Sequence, residues 1–181
     1  MPDSMLSRAK ALGAASAIAL VGPTMMTNFL MAAEGMDPSD VKILNVAIAL
    51  ERAGIKAYTD AAGTGLLTPG VLAVAKGFMS DHIAHRDALI AAVKAGGGTP
   101  TDDTTQLTYP PLKSEGDILE FAYSVERDAA STYLSVLPAF KNRDLAKTAG
   151  AILGVETTHV AILAYVLKKG TEPYPSSFVS A

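Results

Sequence analysis

Four stretches of the chain space apolar residues at alternating steps of three and four, the pattern that keeps one face of a helix turned inward. The first opens at Asp37-Pro38-Ser39-Asp40, with Asp37 as N-cap, Pro38 at the first helical position and Asp40 placed to reach back to the cap. It runs to about Ala62, ahead of Gly63, and its inward seam reads Leu44, Ile48, Glu51, Ile55, Tyr58, Ala62. Thr68-Pro69 opens the second, which ends near Ala95 before Gly96-Gly97-Gly98 and has the seam Ala75, Phe78, His82, His85, Leu89, Ala92. Ser114 with Asp117 starts the third, which carries Leu119, Ala122, Glu126, Ala129, Tyr133 and Val136 on one face and meets Pro138 near its end. Asn142 caps the fourth, whose seam of Leu145, Ala149, Ile152, Glu156, His159, Leu163 and Val166 runs until Gly170.

Between Gly96 and Lys113 the chain has Gly, Thr, Asp and Pro without helical period. That is longer than a turn between antiparallel neighbours and long enough to cross from one end of a bundle to the other. An internal repeat supports the same order. Leu50-Glu51-Arg52 with Tyr58 is echoed by Val125-Glu126-Arg127 with Tyr133, and His82/His85 by Glu156/His159, at an offset near 75 residues. Two helix pairs related in this way predict an all-α, antiparallel four-helix bundle with a long crossover after the second helix and pseudo-twofold symmetry. Arg52 and Arg127 point away from the seam and are poor partners for the glutamates beside them.

Composition narrows the chemistry. A chain of 181 residues, 49% hydrophobic, supports one sizeable core, and no Trp with abundant Ala and Leu suits closely packed helices. A formal charge of −3 and scattered Lys and Arg supply no surface for nucleic acid. Absence of cysteine excludes disulfides and thiolate metal sites, so any metal has to be held by His and carboxylates. Residues 1–36 differ from the rest: Arg8 and Lys10 precede an apolar run from Ala11 to Val21, then Gly22-Pro23 and a Met-rich patch. This has the layout of an export signal, resembling a twin-arginine signal with its second arginine replaced, and predicts a periplasmic or secreted protein. The alternative is a retained N-terminal helix packed on the bundle, with a cytoplasmic location. The run is too short and too soon broken for an integral membrane span. From residue 171 the Pro-containing tail is expected to lie extended over the domain of residues 37–170.

The chemistry sits on the four seams. Glu51, His82, His85, Glu126, Glu156 and His159 all fall at core positions about halfway along their helices. Three ionised carboxylates buried without partners would cost several kcal/mol each. One or two divalent cations would neutralise them, and a carboxylate and imidazole donor set suits iron or manganese, with zinc as a further option. Taken singly, a seam glutamate is more often salt-bridged and a lone histidine more often a hydrogen-bonded core residue. The conjunction of all six on four inward faces is what points to metal. Tyr58 and Tyr133, two turns beyond Glu51 and Glu126, are either hydrogen-bond donors near the metal or ordinary core tyrosines. No Ser-His-Asp arrangement, phosphate loop or dinucleotide fingerprint is present.

The order Glu, a pair ending in His, Glu, then Glu-x-x-His resembles the ferritin-like dinuclear carboxylate proteins. More narrowly, the export-like start, the phrase Leu44-Asn45-Val46-Ala47-Ile48-Ala49-Leu50-Glu51 and the short tail resemble bacterial ferritin-like domain proteins of the desiccation-related branch. The likeness implies metal-centred redox chemistry on dioxygen or peroxide, with Glu51, His85, Glu126, Glu156 and His159 as ligands. It leaves open a homodimer. His82 departs from the pattern, standing where the family has a glutamate able to bridge two metals. One negative charge and one bridging ligand are lost, so a mononuclear site or an altered dinuclear one is a live reading. Asp81 is expected either to replace that ligand or, preferably, to orient His85 one turn on. A protein of another class, a stress or envelope protein with a structural metal such as zinc, fits the same residues. Storage in a mineral cage fits less well, because no fifth helix follows Gly170.

Overall fold

The structure, a computed structural model, describes residues 35–169. Expectations for the export-like segment, apart from its last two residues, and for the tail concern residues outside that range. Among the described residues there are four α-helices and no strand: α1 (Pro38–Gly63), α2 (Pro69–Ala95), α3 (Glu115–Val136) and α4 (Arg143–Val166). A short 3-10 turn, Leu137–Ala139, joins the last two.

The starts lie where the capping residues put them. Asp37 accepts from the Ser39 N–H at 2.8 Å, Ser114 from the Asp117 N–H at 3.1 Å, and Asn142 from the Asp144 and Leu145 N–H groups. Thr68 makes no such side-chain bond, and Pro69 alone marks the start of α2. Asp40 does not serve its own cap. Completely buried, it accepts from the N–H groups of Lys141 at 2.8 Å and Asn142 at 2.9 Å, tying the start of α1 to the start of α4.

Helix ends follow backbone closure. After α2, Gly97 takes φ +75° while its N–H reaches the Lys94 carbonyl and the Gly98 N–H reaches that of Val93. The same closure ends α4 earlier than Gly170: Lys168 adopts φ +52°, with its N–H on Tyr165 and the Lys169 N–H on Ala164. Val166 is accordingly 44% exposed rather than part of the seam.

Two apolar clusters fill the bundle. One joins Leu44 and Ile48 of α1, Leu89 and Val93 of α2, Tyr133 of α3 and Leu145 of α4; the other joins Tyr58, Ala75, Phe78 and Leu163. Early α1 therefore lies beside late α2, and late α3 beside early α4, so α2 and α3 run parallel and the intervening chain has to travel the length of the bundle. It does so along the outer stripe of α1. Asn45 pairs with Thr99 and Thr101, the Ala49 carbonyl accepts from Thr105, Arg52 donates to the Thr101 carbonyl, and Lys56 lies 5.9 Å from the Tyr109 ring centre. The inward seam of α1 also drifts. Beyond Glu51 it passes through Gly54, Ala57, Tyr58 and Ala61, leaving Ile55 and Ala62 half-buried, because a straight helix turns steadily relative to a strict three-four repeat. By length and hydropathy α4 could cross a membrane, yet its seam from Leu145 to Leu163 is buried within the bundle.

Candidate metal centre

Between the two apolar clusters, the six polar seam residues meet. Glu51, His82, Glu126, Glu156 and His159 are buried, and the His85 side chain is 12% exposed. They form two groups of four, Glu51/His82/His85/Glu156 and His82/Glu126/Glu156/His159; in each, one donor atom per residue lies within 4.8 Å of the others. His82 and Glu156 belong to both groups. His82 Nδ1 is 2.8 Å from Glu51 Oε2 and its Nε2 is 3.3 Å from Glu126 Oε1. His85 Nδ1 lies 3.1 Å from Glu156 Oε1, and His159 Nδ1 lies 3.3 Å from Glu126 Oε2 and 3.6 Å from Glu156 Oε2.

The tyrosines hold this arrangement crosswise. Tyr58 of α1 donates its hydroxyl to Glu126 of α3, and Tyr133 of α3 donates to Glu51 of α1. Each tyrosine therefore serves the glutamate of the opposite half, fixing one oxygen of each carboxylate while Glu51 Oε2 faces His82 and His85 and Glu126 Oε2 faces His159. They are hydrogen-bond donors to the centre as well as core residues.

Asp81 does not orient His85, and it belongs to neither group of four. Its Oδ2 lies 3.1 Å from His159 Nε2 instead. One position before His82, it is turned off the α2 seam by about 100° and so reaches across to α4. The carboxylate holds the Nε2–H of His159 and leaves Nδ1 facing the centre. Phe78 stacks on the same imidazole, ring centres 3.9 Å apart and planes at 19°.

Sequence reasoning missed Gly54. A Cβ there would meet the His82 ring, 3.0 Å from Cε1 and Nε2 and 3.1 Å from Cδ2. A glycine inside a helix costs about 1 kcal/mol relative to alanine, and here the bare Cα makes room for the imidazole. The repeat carried the signal: Ala129 holds the matching place in the second half, opposite a glutamate rather than a histidine.

The donor set can be tested for fit. Buried Glu156 Oε1, Glu156 Oε2 and His85 Nδ1 have no hydrogen-bond partner, although oppositely charged groups stand within 3.1–3.6 Å of them. Unsatisfied buried polar atoms that converge from different helices are what a cation between them would satisfy. The residues fit one or two metal ions.

The ferritin-like domain family matches residues 39–169, which include all six residues of the centre. The chain belongs to that family. Two crystal structures share the fold. One is a conserved hypothetical protein of Mycobacterium tuberculosis, 24% identical, TM-score 0.65, covering 77% of this chain and 96% of that one. The other is described as ferritin-like, diiron-carboxylate proteins from Bacillus anthracis, 24% identical, TM-score 0.64, covering 73% of this chain and 99% of that one. No curated protein matches. These matches reach the ferritin-like domain and not its desiccation-related branch.

Electrostatics within this ferritin-like bundle follow from burial and pairing. Burial opposes charge on Glu51 and Glu126, but the bond to His82 and the neighbouring His85 imidazole hold Glu51 below the usual carboxylate range, and bonds to His159 and His82 hold Glu126 well below it. Glu156 moves the other way, raised by burial against only partial relief from His159 and His85. Burial lowers the imidazoles, yet the carboxylates outweigh it and lift His82 to about 10, His85 to about 9 and His159 to about 11. Burial and the charges of Glu126 and Glu51 push Tyr58 and Tyr133 well above the ordinary phenol value, so both remain donors. Beside the centre, Tyr58 and Phe78 also wall a narrow apolar cleft with Ala57, Ala75, Ala122 and Leu163.

Proposed function

We propose that the chain binds one or two redox-active metal ions, iron or manganese, through Glu51, His82, His85, Glu126, Glu156 and His159, and reacts with dioxygen or peroxide. The observation that carries this reading is the convergence of unpartnered Glu156 and His85 donor atoms in the buried middle of the bundle. Such ions supply electron exchange with oxygen species when bound. The chain's own residues would hold the carboxylates (Tyr58, Tyr133), orient an imidazole (Asp81) and exclude water (Phe78). The apolar cleft favours an approach by dioxygen, which is itself apolar. Export to the cell envelope, read from the start of the chain, belongs to the same proposal.

A second reading, a stress or envelope protein with a structural zinc site, draws on His82: an imidazole in place of a bridging carboxylate makes the donor set richer in nitrogen, which zinc accepts readily. Reconstitution with iron under anaerobic conditions, followed by exposure to dioxygen, separates the two. The redox reading expects oxygen uptake by the reduced protein in proportion to bound iron. A stabilised protein that consumes no oxygen or peroxide would overturn it in favour of the structural reading.

A further inference from the structure

We propose that His82 divides the centre into two unequal metal positions. Glu51, His82, His85 and Glu156 take the first ion tightly, and Glu126, Glu156 and His159 take a second far more weakly. The inference rests on the metal-binding reading above and concerns how the ions load.

The two residues shared by both groups differ in what they can offer. Glu156 has two oxygens and turns them to different sides: Oε1 is 3.1 Å from His85 Nδ1, and Oε2 is 3.6 Å from His159 Nδ1. A neutral imidazole has a single lone-pair nitrogen, and its other nitrogen carries a proton. His82 can therefore complete one group and not both.

The distances select the group. His82 Nδ1 is 2.8 Å from Glu51 Oε2 and 3.8 Å from Glu156 Oε1, while His85 Nδ1 is 3.6 Å and 3.1 Å from the same two oxygens. These four separations surround the edge of about 3.3 Å expected for a tetrahedron with metal–ligand bonds of about 2.0–2.1 Å. On the other side, His82 Nε2 faces Glu126 Oε1 at 3.3 Å, the oxygen that already receives the Tyr58 hydroxyl. With Nδ1 as the donor, the Nε2–H belongs to that carboxylate. The second position is left with Glu126 Oε2, Glu156 Oε2 and His159 Nδ1.

The backbone is matched to this choice. Gly54 lets the His82 ring lie against α1, where any Cβ would press on it at 3.0 Å. In the second half the repeat puts Ala129 at the place of Gly54 and Glu156 at the place of His82, so there is no ring for a bare Cα to admit. Asp81 acts in the opposite sense, holding His159 while the matching Val155 can offer His85 no carboxylate, so the inequality rests on four side-chain ligands against three.

The test is titration of the chelator-stripped protein with Co²⁺, followed by metal analysis and by visible absorption, which is strong for four-coordinate and weak for six-coordinate cobalt. Wild type is expected to bind one equivalent with strong absorption, and a second at least about tenfold more weakly for want of a fourth side-chain ligand, since loss of even a supporting group costs about that much. His82→Glu restores the carboxylate and should bring the two affinities together. Gly54→Ala crowds the ring and should weaken the first ion while helix content of the stripped protein is kept; it decides the matter even where His82→Glu does not fold. Two equivalents of equal affinity in wild type, or an unchanged first affinity in Gly54→Ala, would overturn the inequality and leave the proposed function standing. Failure of any metal to bind would overturn both.

Discussion

At the scale of single residues, the centre is a set of charges that the metal-free chain neutralises with its own protons. His82, His85 and His159 rise from the ordinary 6.5 to about 10, 9 and 11, so between the two values the folded chain binds more protons than the unfolded one. Their contribution to stability is complete below pH 6.5 and is lost as pH rises through the folded values. Raised Glu156 acts in the same direction above its ordinary 4.5. Lowered Glu51 and Glu126 act oppositely, contributing above 4.5 and failing as pH falls through their folded values. The unfolding temperature of chelator-treated protein is therefore expected to fall between about pH 6 and about pH 9; a rise over that interval would mean that the imidazoles are not paired as described. The positions of all six residues were legible from the sequence because helical spacing alone decides which side chains face inward. The partners of Asp81 and the purpose of Gly54 were not. Both depend on a residue of another helix, and the azimuth of one helix against its neighbour is not written in the spacing of either.

At the scale of elements, the capping residues locate the helix starts, and the glycines after α2 its end, to within a residue or so, since they act on backbone groups nearby in sequence. Long-range capping escapes that logic. Asp40 stands where a local reach-back was expected, yet it satisfies the N–H groups of Lys141 and Asn142, about a hundred residues away in sequence. Asp40→Ala would leave both groups without this acceptor at the entry to α4. A loss of about 1–3 kcal/mol for each group that remains buried and unsatisfied is expected in urea unfolding, with helix content unchanged under native conditions. A loss below about 0.5 kcal/mol would show that water replaces the carboxylate at little cost. The Leu44-to-Glu51 phrase also gains a physical meaning here. Leu44 enters the core and Glu51 the centre from one side of α1, while Asn45 and Ala49 hold the crossover on another, so one short stretch serves two sides of the helix.

At the scale of the whole molecule, two helix pairs of like sequence close around a centre that lies between two apolar clusters. The pseudo-twofold relation appears in the tyrosines, each serving the other half's glutamate, so the pairing of the halves and the shape of the centre are one structural fact. The repeat made the bundle and its crossover legible in the sequence. What differs between the halves, His82 with Gly54 against Glu156 with Ala129, marks where the chemistry departs from the symmetry of the fold. The most direct test of the central claim is a crystal soaked with iron or manganese, with anomalous scattering measured at the metal edge. An ion is expected within about 2.0–2.3 Å of donor atoms of Glu156 and at least two of Glu51, His82 and His85. Crystals saturated with either metal that show no anomalous peak among these residues would contradict it.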